Sequence, residues 1–164
     1  MSDHALTTLE IRSEDINSRV VGELINALNA ELKRQYPEEG ATHFRLDPDE
    51  VAEGRGAFLV AYAGLRPVGC GAIRKLNSDT GEIKRMYVIP EARGQGVSKK
   101  VLTALEQEAR RLGLRRLVLE TGERQIEAMT LYTGAGFARI PAFGEYLDSP
   151  LSVCMAKELG GPES

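Results

Sequence analysis

The stretch Val88-Ile89-Pro90-Glu91-Ala92-Arg93-Gly94-Gln95-Gly96-Val97-Ser98-Lys99 is where residue types and spacing point most directly to chemistry. It reads as a strand running through a glycine-rich turn into a long helix. Such a turn presents backbone N–H groups at a helix N-terminus, where the helix dipole favours an anion, so it could cradle a pyrophosphate. The plainer alternative is a turn that needs glycine only for its backbone freedom. Two other phosphate loops are excluded. No GxxxxGK[ST] occurs, and Lys99 stands where a dinucleotide fingerprint wants its third glycine.

Other reactive side chains are sparse. Cys70 and Cys154 are far apart among apolar or small neighbours and read as reduced core thiols. A cysteine nucleophile would need a base, and the only histidines, His4 and His43, are expected at the surface. With no CxxC, no HExxH and no paired histidine and acidic ligands, the sequence offers no metal ligand set. The chain has 164 residues and a net charge of -3, with 5% aromatics and no Trp, which argues against a surface for phosphate backbones or stacked bases. No uncharged segment approaches the roughly 18 residues of a membrane span, and Asp3, His4, Glu10 and Arg12 break any signal-peptide pattern. A cytoplasmic protein without nucleic-acid or membrane partners is expected.

The elements that must position the turn follow from periodicity. Thr7 to Arg12 alternates like a first strand, and Ser13 to Asp15 offer N-caps for a helix through about Leu32, with Val20, Val21, Leu24, Ile25 and Leu28 toward the core. Arg34 to Gly56 reads as a loop with at most one short helix around Asp49 to Glu53. Ala57 to Tyr62, Arg66 to Leu76 and Glu82 to Ile89 read as three antiparallel strands joined by turns. From Val97 the period changes: Val97, Val101, Leu102, Leu105, Ala109 and Leu112 share one face of a helix that stops at Gly113. Strands at Arg116 to Glu120, Phe137 to Ile140 and Leu151 to Lys157 follow, with a helix at Gln125 to Thr133. The order indicates one α/β (α+β) domain over residues 1–164, a mixed sheet with helices on its faces and frayed ends at 1–5 and 160–164.

Arg93-Gly94-Gln95-Gly96-Val97-Ser98 resembles the R/Q-x-x-G-x-G/A signature of the GNAT superfamily of acyl-CoA-dependent N-acyltransferases. Gly81 to Pro90 resembles that family's fourth strand, and Ala128-Met129-Thr130-Leu131-Tyr132 with Gly136-Phe137 resembles its A-x-x-L-Y and G-F segment. The resemblance runs from about Phe58 to Lys157. Ser98 departs from the usual Gly or Ala, and Gln125 from a common Asn. The resemblance implies a mostly antiparallel sheet of about seven strands with about four helices, whose fourth and fifth strands splay to admit acetyl-CoA. Pantetheine would pair near Met86, Tyr87 and Val88. The pyrophosphate would lie on the amides of Arg93, Gly94, Gln95, Gly96, Val97 and Ser98, with Lys99 and Lys100 as charge partners and Gln125 and Tyr132 near the cofactor.

The implied reaction is attack of an amine on a thioester, and an amine with a pKa near 10 must first lose a proton. By resemblance Glu82 is the first candidate for the base, with Glu120 and Glu123 as alternatives; the plainer reading of Glu82 is a strand-end carboxylate paired with Lys84 or Arg116. Tyr132 would protonate the departing thiolate, and a backbone N–H near Met86 or Tyr87 would hold the oxyanion. Direct transfer in a ternary complex is favoured over an acyl-cysteine. The acceptor would lie against Arg34, Gln35, Tyr36, Glu38, Glu39 and Arg45 and the segment Phe143 to Pro150, where acids and aromatics suit a cationic amine and arginines a carboxylate. An amino-acid-like or polyamine-like small molecule is expected. The alternatives are a protein or peptide amine and an acetyl-CoA sensor without turnover. A homodimer is a further expectation of the resemblance.

Overall fold

The computed structural model describes residues 8–38 and 46–160. The expectations for His4, Glu39, His43 and Arg45 and for residues 1–5 lie outside them.

Seven strands form one sheet in the order β1-β2-β3-β4-β5-β7-β6. They are β1 (Leu9–Ser13), β2 (Gly56–Ala63), β3 (Arg66–Lys75), β4 (Thr80–Val88), β5 (Arg116–Gly122), β6 (Ala138–Ile140) and β7 (Ser152–Glu158). All neighbours are antiparallel except β4 and β5, which run parallel. A parallel pair needs a crossover, and α2 (Val97–Arg111) supplies it.

Side-chain alternation divides the strands between two faces. Phe58, Val60 and Tyr62 of β2 pack with Val21, Leu24 and Leu28 of α1 (Arg19–Gln35). Ala57, Leu59 and Ala61, one residue out of step, pack with Val97, Val101 and Leu105 of α2 on the opposite face, where Tyr132 of α3 (Ile126–Gly134) also lies. The helices therefore cover the sheet from both sides.

Two sequence expectations are corrected. The cap of α1 is Ser18, whose Oγ accepts from the Val21 N–H at 3.2 Å; Asp15 instead shapes the turn before it, accepting from Asn17 N at 2.8 Å. Among the described residues there are three α-helices rather than about four. Pro48 starts only a single 3-10 turn, Pro48–Val51, after which the chain reaches Gly54 at φ 84 and enters β2. Val20 and Ile25 pack against the same cluster from its margin, partly buried beside Val21, Leu24 and Leu28.

Candidate active site

Hydrogen bonding between β4 and β5 runs from Thr80 opposite Arg116 to Ile83 opposite Leu119 and then stops. Beyond it the strands separate, so the β4 backbone past Ile83 has no ladder partner on that side. The other edge of β4 is irregular too. Its pairing with β3 shifts register between Cys70 and Ala72, and Arg85 adopts φ 61, the one positive φ outside glycine among the described residues. The splay opens a cleft of about 640 Å³ walled by α1, β4, β5, the glycine turn and α3.

At one end lies the Gly94–Gly96 turn. Gly94 and Gly96 have φ of 78 and 82, which other residues adopt at a cost, and nothing lies within 4 Å of where a Cβ would project from either. Gly96 caps α2 without a side-chain hydrogen bond, and no acid occupies the first turn of α2. The leading amides of the helix are thus uncapped by the protein and suited to an anion. The local chemistry fits the diphosphate of acetyl-CoA.

Of the residues expected at the cofactor, Met86, Tyr87, Val88, Arg93, Gly94, Gly96, Val97, Ser98, Gln125 and Tyr132 line this cleft. Gln95 and Lys99 do not. Lys99 and Lys100 instead border a shallow groove beside Leu9 and Ile11 of β1. Gln125 has a second task, since its Oε1 accepts from Gly122 N at 2.9 Å and Thr121 Oγ1 at 3.0 Å, bracing the loop before α3.

Tyr132 is buried, with its ring edge-on to Phe137 at 5.7 Å between centroids. Among the described residues its hydroxyl has no hydrogen-bond partner. Burial, reinforced by the charge of Glu120, raises its pKa well above the ordinary tyrosine value, so it stays protonated and able to donate.

Glu82 is fully buried and is absent from the cleft lining. Arg74, opposite it on β3, holds its Oε1 through Nε at 2.9 Å and Nη2 at 2.8 Å, and the Tyr146 hydroxyl donates to its Oε2 at 2.6 Å. Neither Lys84 nor Arg116 is its partner: Lys84 pairs with Glu145 at 3.0 Å and Arg116 with Glu158 at 2.9 Å. Arg74 also pairs with Glu50 and lies 3.8 Å from Glu145. Glu82 therefore ties β3 and the Tyr146 turn together, and Tyr146 stands between it and the cleft.

Glu120 does line the cleft, one residue past the last β4–β5 pair. Its Oε2 accepts from Ser152 Oγ at 2.6 Å, and among the described residues it has no cation within salt-bridge distance. Burial raises its pKa, the charges of Glu82 and Glu145 add to the rise, and the Ser152 hydrogen bond and Lys84 oppose it. Glu123, the other alternative, is exposed and outside the lining.

The mouth is bounded by arginines the sequence did not single out for it. Arg124 grips both Glu38 oxygens at 3.0 and 2.6 Å and the Gln35 carbonyl at 2.7 Å, and lies over the Tyr36 ring. Tyr36 in turn accepts from Arg124 N at 2.7 Å, and a Cβ on Gly122 would fall on the Tyr36 hydroxyl. Cys70 is buried with its thiol pushed up to about 12, and burial also raises Cys154, so neither offers a ready thiolate.

The sequence and the fold match known proteins. Residues 23–137 match the Acetyltransferase (GNAT) family. The chain belongs to the GNAT acetyltransferase family. It is 40% identical over 149 residues to a protein of Azospirillum brasilense named IAA acetyltransferase, covering 90% of this chain and 95% of that one. It is 32% identical over 153 residues to the uncharacterized N-acetyltransferase YsnE of Bacillus subtilis, covering 92% and 100%. A crystal structure from Klebsiella pneumoniae, provisionally named an acyl-CoA N-acyltransferase, superposes with a TM-score of 0.79 at 34% identity, over 94% of this chain and 99% of that one. As a GNAT member the protein is an enzyme of the acyltransferase class. Among the described residues no helix is long and apolar enough to cross a membrane.

Proposed function

We propose that the protein transfers an acetyl group from acetyl-CoA to the primary amine of a small molecule by direct attack within a ternary complex. The observation that carries this reading is Glu120, a cleft-lining carboxylate with no cationic partner among the described residues, in the same cleft as Tyr132 and the anion turn. An acceptor ammonium would supply the missing counter-charge.

On this reading the diphosphate is held by the uncapped amides of the Gly94–Ser98 turn. The thioester arm runs along the unpaired edge of β4 at Met86 to Val88, where a backbone N–H polarises the carbonyl. Glu120 takes the proton of the ammonium, and the freed lone pair attacks the thioester carbon. The tetrahedral intermediate loses the second proton of its nitrogen to solvent and collapses by breaking the C–S bond, while Tyr132 protonates the sulfur leaving group and is reprotonated from solvent. Glu120 is preferred to Glu82 as base because it reaches the cleft and its proton affinity is raised. Glu82 keeps a supporting role, fixing Tyr146 in the acceptor wall. The protonated thiols of Cys70 and Cys154 favour direct transfer over an acyl-enzyme. Glu120 and Tyr146, with Arg85 and Arg124 along the same cleft, suit an amino-acid-like acceptor, with polyamine-like amines as the companion class.

The test is calorimetric titration with acetyl-CoA followed by thiol-release assays with amino acids, polyamines and lysine peptides. One-to-one binding and amine-dependent CoA release with a small molecule are expected. Binding without turnover across the panel would make the protein a sensor, and turnover only with peptides would move the acceptor class to proteins. No binding at millimolar acetyl-CoA overturns the reading.

A further inference from the structure

Arg93 leads into the diphosphate turn, yet its guanidinium is committed across the mouth of the cleft. Its Nη2 lies 2.6 Å from Glu31 Oε1 on α1, its Nε donates to the Val88 carbonyl at 2.9 Å, and its Cζ lies 5.7 Å from the centre of the Tyr87 ring. A carboxylate therefore occupies one hydrogen-bonding edge of the guanidinium that a diphosphate on the adjacent amides would attract. We propose that Glu31 sets the cofactor affinity of this turn by competing with the ligand's diphosphate for Arg93. The proposal rests on the acetyl-CoA reading above.

Carboxylate and phosphate oxygens suit the same guanidinium fork, so the two anions are alternatives for one donor set. The Arg93 and Glu31 side chains are 40% and 22% exposed, so solvent screens their pair and it can be exchanged at little cost. The pairing of Arg124 with Glu38 and the Gln35 carbonyl is different in kind, because it fastens the end of α1 to the loop before α3 independently of Glu31. The core contacts of Val21, Leu24 and Leu28 hold the rest of the helix. Opening the Glu31 pair thus requires a turn of the Arg93 side chain and release of its Nε contact with the Val88 carbonyl, with α1 staying in place. Glu31 acts on the ligand through Arg93 and is a positioning residue.

The experiment is a double-mutant cycle in acetyl-CoA affinity, measured by calorimetry on wild type, Glu31→Gln, Arg93→Gln and the double variant. Glu31→Gln should bind about two- to fivefold more tightly, the range of a part-exposed ion pair. In the Arg93→Gln background the same change should have less than about a 1.5-fold effect. If Glu31 merely repelled the ligand, the gain would persist without Arg93, and competition would be refuted. Unchanged or weaker binding in Glu31→Gln, with wild type binding normally, removes Glu31 and leaves the cofactor reading standing. Failure of wild type to bind acetyl-CoA removes the cofactor reading and the proposal with it.

Discussion

Replacing Glu120 with Gln keeps the side chain's shape and hydrogen-bonding capacity but abolishes its ability to take a proton. As the base, Glu120 works as the carboxylate, which is present above its pKa. Its burial, with Glu82 and Glu145 nearby, places that pKa above the ordinary glutamate value near 4.3, despite the opposing Ser152 hydrogen bond and Lys84. In wild type the acidic limb of kcat/KM for the acceptor should therefore lie above the normal glutamate range. Glu120→Gln should remove that limb and lower kcat/KM by about 10²- to 10⁴-fold, some 3 to 5 kcal/mol of transition-state stabilisation, while acetyl-CoA affinity stays unchanged. Linkage separates loss of chemistry from loss of fold. A carboxyl whose folded pKa is raised contributes stability that is full below its unfolded pKa and lost as pH rises through its folded pKa, so near pH 8 the ionised wild-type group opposes folding. The variant should melt no lower than wild type at pH 8, and its Tm advantage should grow on raising the pH from about 4. Ser152→Ala, which removes a donor to the charged form, should move the acidic limb upward. A folded Glu120→Gln variant with kcat/KM within about threefold of wild type, or with the limb intact, would refute the assignment.

Tyr132→Phe should lower kcat by about a hundredfold or more with calorimetric acetyl-CoA affinity retained, and undiminished turnover would remove Tyr132 as the acid. Glu82→Gln should keep the acidic limb but move it downward, because a charge that raises the Glu120 pKa is lost, and should destabilise the protein by about 3 kcal/mol in denaturant unfolding, because Arg74 and Tyr146 lose a buried charged partner; disappearance of the limb would return the base to Glu82. Gly122→Ala should cost about 1 to 3 kcal/mol and loosen the mouth of the cleft by displacing Tyr36 from Arg124. Denaturant unfolding and hydrogen exchange at the Arg124 amide check it, and an unchanged exchange rate would show that Tyr36 accommodates the added methyl.

Most of the fold was legible because each element carries a local signal. The period change at Val97 and the left-handed Gly113, φ 79, mark both ends of α2, and the short turns of the β2–β3–β4 meander leave little choice of pairing. The start of α1 was misplaced because Ser13, Asp15 and Ser18 are all competent caps, and only Ser18 precedes the turn in which Val21 reaches the core. The fourth helix did not form among the described residues because the Pro48 turn leads directly into β2. Proline can begin a helix, but it does not supply the apolar face that sustains one.

The candidate site was legible on its cofactor side and poorly so on its acceptor side, and the reason is geometric. A backbone cradle is written in one contiguous stretch, whereas the assignment of Glu82 or Glu120 to the cleft depends on where β4 and β5 part, which no residue type announces. One missed partner was recoverable. The hairpin across Asn77 to Thr80 sets Lys75 opposite Gly81 and hence Arg74 opposite Glu82, so a cross-strand ion pair follows from register alone. Such a pair favours a structural role, since a carboxylate already satisfied by a buried guanidinium and a tyrosine has less to gain from a proton than one left without a counter-ion. The parallel ladder also ends after Ile83 and Leu119, which makes Glu120 the first β5 residue with an unpaired neighbour strand. The proposed base is therefore the carboxylate the protein leaves uncompensated at the splay, and topology rather than residue type singles it out.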